Sequence, residues 1–129
     1  MRLIEIVPTI VPSAPHDVIE ASEKYSEFAS TFQIDLADGH FAPNTTWIPS
    51  EDFELPKNFV YEVHMMVEEP SELGARFARA GAARLIAHAE VFESAGDARV
   101  ATSTWKASGA REIGLAVLFQ TSFEDIESL

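Results

Sequence analysis

Five short, mostly apolar runs recur along the chain, and their spacing limits the fold more than any other feature. They are Leu3–Val7, Phe32–Leu36, Val60–Met66, Arg84–Ala89 and Glu112–Phe119, with starts roughly 24–29 residues apart. That interval fits a strand, two loops and a crossover helix. Near-continuous apolar character marks strands covered on both faces, as in a parallel sheet, and the polar residues gather toward the C-terminal ends.

The gaps carry helical periodicity. Val18, Ala21, Tyr25 and Phe28 recur at helical spacing after Pro15, a good first-turn residue. Pro70 opens a second helix whose stripe is Leu73, Phe77 and Ala80, with Gly81 as its C-cap. A third carries Val100, Ala101, Trp105 and Ser108 and is ended by Gly109. The joints Ala80-Gly81-Ala82 and Ser108-Gly109-Ala110 read alike, a weak internal repeat of one strand–helix unit. Between Asp38 and Pro56 the residues Gly39, Pro43, Asn44 and Pro49 predict a long loop with at most a short helix. Loops of that length at the C-terminal end of a strand usually carry function. Ser122 to Leu129 reads as the opening of a further helix that stops early.

Composition narrows the partners. The 129 residues suit one domain, 1–129. Nine basic residues against 21 acidic ones give a net charge of -12, which repels nucleic acid and anionic membranes. An anionic metabolite would need a local device such as a helix N-terminus or a metal. With no cysteine, disulfides, thiolate metal sites and thiol nucleophiles are excluded. Apolar stretches such as Ile113 to Phe119 are too short to span a bilayer, and no basic leader precedes the first run, so the cytoplasm is the expected compartment.

In parallel α/β folds ligands gather at the C-terminal ends of strands. There the sequence offers Pro8-Thr9, then Gln33-Ile34-Asp35 followed by Asp38-Gly39-His40, then His64-Met65-Met66, then His88-Ala89-Glu90. Gln33 and Asp35, two apart, share one face of a strand, and His64 can meet them from the next. A carboxylate, an imidazole and an amide oxygen can bind a divalent cation. From the residues alone, the plainer reading is favoured: His64 as a hydrogen-bonded strand-end histidine and Asp35 as a helix or loop cap.

Longer motifs shift that balance. The runs Ile6-Val7-Pro8-Thr9-Ile10, Ile34-Asp35-Leu36-Ala37-Asp38-Gly39-His40-Phe41-Ala42-Pro43-Asn44 and Val63-His64-Met65-Met66-Val67 resemble the signature segments of ribulose-phosphate 3-epimerases. So do Ala78-Arg79-Ala80-Gly81-Ala82 and Ile86-Ala87-His88-Ala89-Glu90, in matching order and spacing from residue 2 onward. The resemblance implies a TIM (β/α)8 barrel, an α/β fold, and metal-assisted interconversion of ribulose 5-phosphate and xylulose 5-phosphate. It also implies roles. Asp35 is the catalytic proton acceptor and a metal ligand, and His64 is a metal ligand close to substrate. Thr9 and Met66 line the substrate site, Thr9 keeping the hydroxyl of a serine. Asp38, His40, Pro43 and Asn44 shape the loop, and His88 is either a hydrogen-bonded core residue or substrate-side. The cofactor implied is a divalent cation: Zn, Mn, Fe or Mg.

Departures from the pattern set further expectations. Gln33 stands at the position of a metal-ligating histidine, and a glutamine oxygen favours harder cations. Ala37 replaces a methionine facing the reacting carbons, and Pro12 a serine. About five of eight strand–helix units are present, a partial barrel too short to close by itself. The second catalytic aspartate, the loop over the site and the phosphate-holding glycine turns have no counterpart. Glu68 and Glu90 read as solvated or capping. The open barrel is therefore expected to be completed by a homodimer or a partner chain, and the isolated chain to be a poor epimerase. The alternative is a non-catalytic binding or assembly module, and a third reading is another reaction on a phosphosugar.

Overall fold

The computed structural model describes residues 3–129; residues 1 and 2 lie outside it. In chain order the elements are β1 (Thr9–Ile10), α1 (Pro15–Lys24), β2 (Thr31–Ala37), β3 (Val60–Met66), α2 (Pro70–Ala80), β4 (Arg84–His88), a 3-10 turn (Ala89–Val91), α3 (Ala95–Ala107), β5 (Glu112–Ala116) and α4 (Phe123–Ile126). The strands lie in the order β1-β2-β3-β4-β5, every neighbouring pair parallel. The parallel strand–helix units are as the spacing predicts, and five of them make the partial TIM-like α/β fold that the resemblance implies. Among the described residues no helix is long and apolar enough to cross a membrane.

Parity along the strands sets the layers, because successive side chains point to opposite faces. Phe32, Ile34 and Leu36 of β2, Tyr61, Val63 and Met65 of β3, and Leu85 and Ala87 of β4 are fully buried. They pack with Val18, Leu73, Phe77 and Trp105 from the helices. The alternate residues Gln33, Asp35, His64 and Arg84 are only partly buried and face the side without helices. Double coverage, expected from the apolar runs, is therefore not what the sheet shows. One face is dry and the other is open and polar.

Local chemistry explains the helices. Asp17 accepts from the backbone N–H groups of Ser13 and Ala14 at 2.7 and 3.0 Å, fixing the start of α1. Ser94 caps α3 by accepting from the Asp97 N–H at 3.1 Å. At the end of α2, Gly81 has φ 109°, and the next N–H, from Ala82, reaches back to the Phe77 carbonyl. After α3, Gly109 has φ 124° and Ala110 N–H reaches back to Trp105. Both joints thus close with the same six-to-one bond, so the weak sequence repeat is a geometric one. α2 and α3 approach closely where Gly74 meets Trp105: a Cβ on Gly74 would stand 2.4 Å from the indole. The indole N–H in turn donates to the Ser71 carbonyl at 2.8 Å.

Several expected bounds shift. Leu3–Val7 is not a strand; β1 is Thr9–Ile10. Thr9 pairs with Gln33, which sets Val7 opposite Thr31, the first residue of β2, so Leu3 to Ile6 run past the end of the one strand that pairs with β1 among the described residues. β5 ends at Ala116 rather than Phe119, and α1 ends at Lys24, leaving Phe28 exposed. On α3 the buried residues are Ala98, Ala101 and Trp105, while Val100 is exposed. The segment between β2 and β3 contains no helix. Instead Trp47 and Phe53 pack edge-on against each other and against Phe77, sealing the core where a crossover helix would lie.

Candidate active site

Strand register brings the predicted residues together on the open face. Asp35 pairs with His64, and His64 with Ile86, so the carboxylate and the imidazole occupy one row across β2 and β3. One step toward the strand N-termini, Thr9, Gln33, Glu62, Arg84 and Glu112 form a second row. One step the other way stand Ala37 and Met66, with His88 and Ala116 on the next pair of strands.

Asp35 and His64 are each about one-fifth exposed, and Asp35 Oδ1 lies 3.4 Å from His64 Nδ1. Gln33 donates its amide N–H to the same Oδ1 at 2.7 Å. Burial pushes the Asp35 carboxyl up, but the adjacent His64 imidazole and the hydrogen bond from Gln33 outweigh it and hold Asp35 below its ordinary value. His64 Nε2 stands 2.9 Å from His88 Nε2, and the two rings stack at 5.1 Å. Phe41 covers His88 at 4.7 Å. Burial, reinforced by the His64 charge, pulls His88 down against the opposing pull of Glu90, so this ring is neutral at pH 7.

The fit of a divalent cation rests on the donor geometry. Two atoms bound at about 2.0–2.1 Å to one tetrahedral ion stand about 3.3 Å apart. The 3.4 Å between Asp35 Oδ1 and His64 Nδ1 matches that edge. Gln33 turns its N–H rather than its oxygen toward Asp35, so it orients the carboxylate; ligation would need the amide reversed. Among the described residues no cluster of three or more His, Asp or Glu side chains converges on a metal position. The residues present therefore suit a cation as a pair of donors, Asp35 and His64.

The remaining loop residues divide. Asp38 is a structural pin: one oxygen accepts from the His40 and Phe41 N–H groups at 2.8 and 2.9 Å, the other from the Glu68 N–H at 2.8 Å. His40, Pro43, Asn44 and Glu68 are exposed. Thr9 is exposed on the edge strand, and Met66 is half-buried at the rim.

Two features lay outside the sequence reading. Arg84 grips Glu62 with one guanidinium nitrogen and Glu112 with two others, at 3.2 and 3.0 Å, which closes the floor of the open face with charge. Glu90, expected as solvated or capping, caps the turn after β5, taking the Leu118 N–H and the Thr121 hydroxyl, each at 2.6 Å, and what the sequence did not show is its contact with His88. Its other oxygen faces His88 Nδ1 at 3.5 Å. The spacing His88-x-Glu90, carried from strand into turn, was the available signal.

A profile of the ribulose-phosphate 3 epimerase family matches residues 5–129. The ribulose-phosphate 3-epimerase of Chlamydia pneumoniae is 34% identical over 112 residues, 85% of this chain and 47% of that protein. That of Bacillus subtilis is 37% identical over 93 residues, 68% of this chain and 42% of that protein. The chain thus spans less than half the length of these relatives. With the Asp35–His64 row lying on the open face of a parallel sheet, the profile match places the chain in the ribulose-phosphate 3-epimerase family.

Proposed function

We propose that this chain carries the Asp35 half of an epimerase site for a phosphorylated ketose, with Asp35 as the proton acceptor and Asp35 and His64 as holders of a divalent cation. The observation that supports it is the register pairing of Asp35 with His64 at 3.4 Å on the face free of helices. Inversion next to a ketone breaks a C–H bond on one face and forms one on the other. Asp35 takes the proton, the electron pair moves toward the carbonyl oxygen to give an enediolate, and a second acid returns a proton from the opposite side. A bound cation would stabilise the charge growing on that oxygen. Asp35 is ionised at neutral pH because its carboxyl is held low, and Gln33 fixes its orientation. Thr9 and Met66 are the substrate-side contacts in this reading, and cytoplasmic phosphosugars its substrates.

The second acid has no free candidate among the described carboxylates nearest the site. Glu62 and Glu112 are tied to Arg84, and Glu90 to Leu118 and Thr121. The proposal therefore assigns the opposite wall, and the hold on phosphate, to a second copy or another chain docking along the sheet edges. Leu3, Ile4, Ile6 and Val11 are exposed near β1, and Leu115, Val117, Phe119 and Phe123 at or after β5. The same edges support the second reading, an assembly module without turnover.

Titration calorimetry with Mn²⁺ and a coupled epimerase assay separate the two. Residues 1–129 are expected to bind the ion, to lose that binding in Asp35→Asn and His64→Ala, and to turn over ribulose 5-phosphate far below the usual range of roughly 1–1000 per second. Ion binding unchanged by both substitutions would end the enzyme reading. Full turnover by the isolated chain would remove the need for a second wall.

A further inference from the structure

Behind the Asp35–His64 pair stand two buried polar atoms with no hydrogen-bond partner, His88 Nδ1 and Glu90 Oε2. They face each other at 3.5 Å. Glu90 is held in place, since its Oε1 is engaged by Leu118 N–H and Thr121 Oγ1. His88 is held too, 7% exposed, beneath Phe41. A carboxylate can only accept, so both atoms are satisfied in one way: the imidazole proton sits on His88 Nδ1. In a neutral ring that leaves His88 Nε2 bare. His64 Nε2, 2.9 Å away, must then donate to it, which leaves His64 Nδ1 bare and aimed at Asp35.

We propose that Glu90 and His88 are positioning residues which, acting in series, set the tautomer of His64 so that its unprotonated Nδ1 meets the Asp35 carboxylate. This deepens, and rests on, the reading of Asp35 and His64 as the cation-holding pair. Two lone-pair groups 3.4 Å apart have no proton to share and are open to a cation. In the other tautomer His64 would donate to Asp35 and close the pair. A carboxylate behind a ligating histidine commonly fixes which nitrogen is offered; here the carboxylate acts through an intervening imidazole. The turn after β5 thereby reaches Asp35 on β2.

The test is the histidine tautomers of the whole chain, without metal or substrate, read by two-bond ¹H–¹⁵N correlation at pH 8, where unperturbed imidazoles are neutral. The chain has four histidines to assign. His88 is expected with its proton on Nδ1 and His64 with its proton on Nε2. In Glu90→Gln the amide oxygen must keep accepting from Leu118 and Thr121, so the NH₂ faces His88 Nδ1. Both tautomers should then invert, and affinity for Zn²⁺ should fall by about 10–100-fold. A wild-type His64 protonated on Nδ1, or tautomers indifferent to Glu90→Gln, would overturn the proposal. The wild-type spectrum decides alone if the variant does not fold. Failure of the wild-type chain to bind Zn²⁺ would instead sink the cation pair while leaving the tautomers to stand or fall separately.

Discussion

The two faces of the sheet are built from alternate residues of the same strands, yet they do opposite work. On the helix side Phe32, Ile34, Leu36, Tyr61, Val63 and Met65 are sealed from water. On the other side Gln33, Asp35, His64 and Arg84 stay within reach of solvent and are organised by hydrogen bonds and charge rather than by packing. A one-residue step along β2 crosses from stability to chemistry. Substitutions on the first face should therefore unfold the protein, and those on the second should leave it folded and change what it binds.

Trp105→Ala should show the largest effect. The indole is fully buried against Gly74 and donates to the Ser71 carbonyl, so its loss leaves a cavity and an unpaired acceptor. A cost of about 3–5 kcal/mol is expected, a large share of the roughly 5–15 kcal/mol that holds a domain folded. Urea unfolding of Trp105→Ala beside His64→Ala measures the contrast directly. Equal losses would mean the open face carries stability as well.

Arg84→Met should come next, because it leaves the buried Glu62 carboxylate without its partner. About 1–3 kcal/mol is expected. Adding Glu62→Gln should recover most of it, since the penalty belongs to the stranded charge. If the double variant is no better than the single, Arg84 acts through the packing of its stem.

Acid should separate the faces without any substitution. His88 is held below its ordinary pKa by burial and the His64 charge, so protonating it costs folding energy. Its contribution is whole above about pH 6.5 and is lost as pH falls. Glu90, where burial is outweighed by the Thr121 and Leu118 hydrogen bonds, is held below its usual value and acts in the same direction below about pH 4.5. Stability measured against pH should thus decline in two legs, and His88→Gln should abolish the upper one. A profile flat from pH 7 to 5 would contradict the burial of a neutral His88.

What the sequence disclosed follows the same division. The apolar runs located β3 to the residue and β2 and β4 to within one, because burial against helices imposes a pattern on the strand itself. The glycine joints were legible because a left-handed residue after a helix needs glycine. Leu3–Val7 misled because apolar character cannot say whether a partner strand extends alongside it. The meeting of Asp35 with His64 across adjacent strands was legible in their spacing. Glu62, Arg84 and Glu112 were not, since their meeting depends on inter-strand register, which no local pattern encodes. Glu90 was legible as a capping residue but its partners were not, because Leu118 and Thr121 lie far along the chain.

The smallest effect on stability should come from the edges, and there the contrast can be broken most cleanly. Val117 and Phe119 follow β5, and Phe119 is wholly exposed. Replacing Phe119 with Asp removes no core contact, so unfolding should move by no more than about 0.5 kcal/mol. Self-association is a different matter. An unpaired parallel edge with exposed Val117, Phe119 and Phe123 is a surface for a further strand, while a charge of -12 on each copy opposes contact elsewhere. If a second copy docks at this edge, light scattering at micromolar concentration should show the wild-type chain heavier than Phe119→Asp, the difference growing with salt as repulsion is screened. Two monomers of equal stability would remove the second copy as the missing wall.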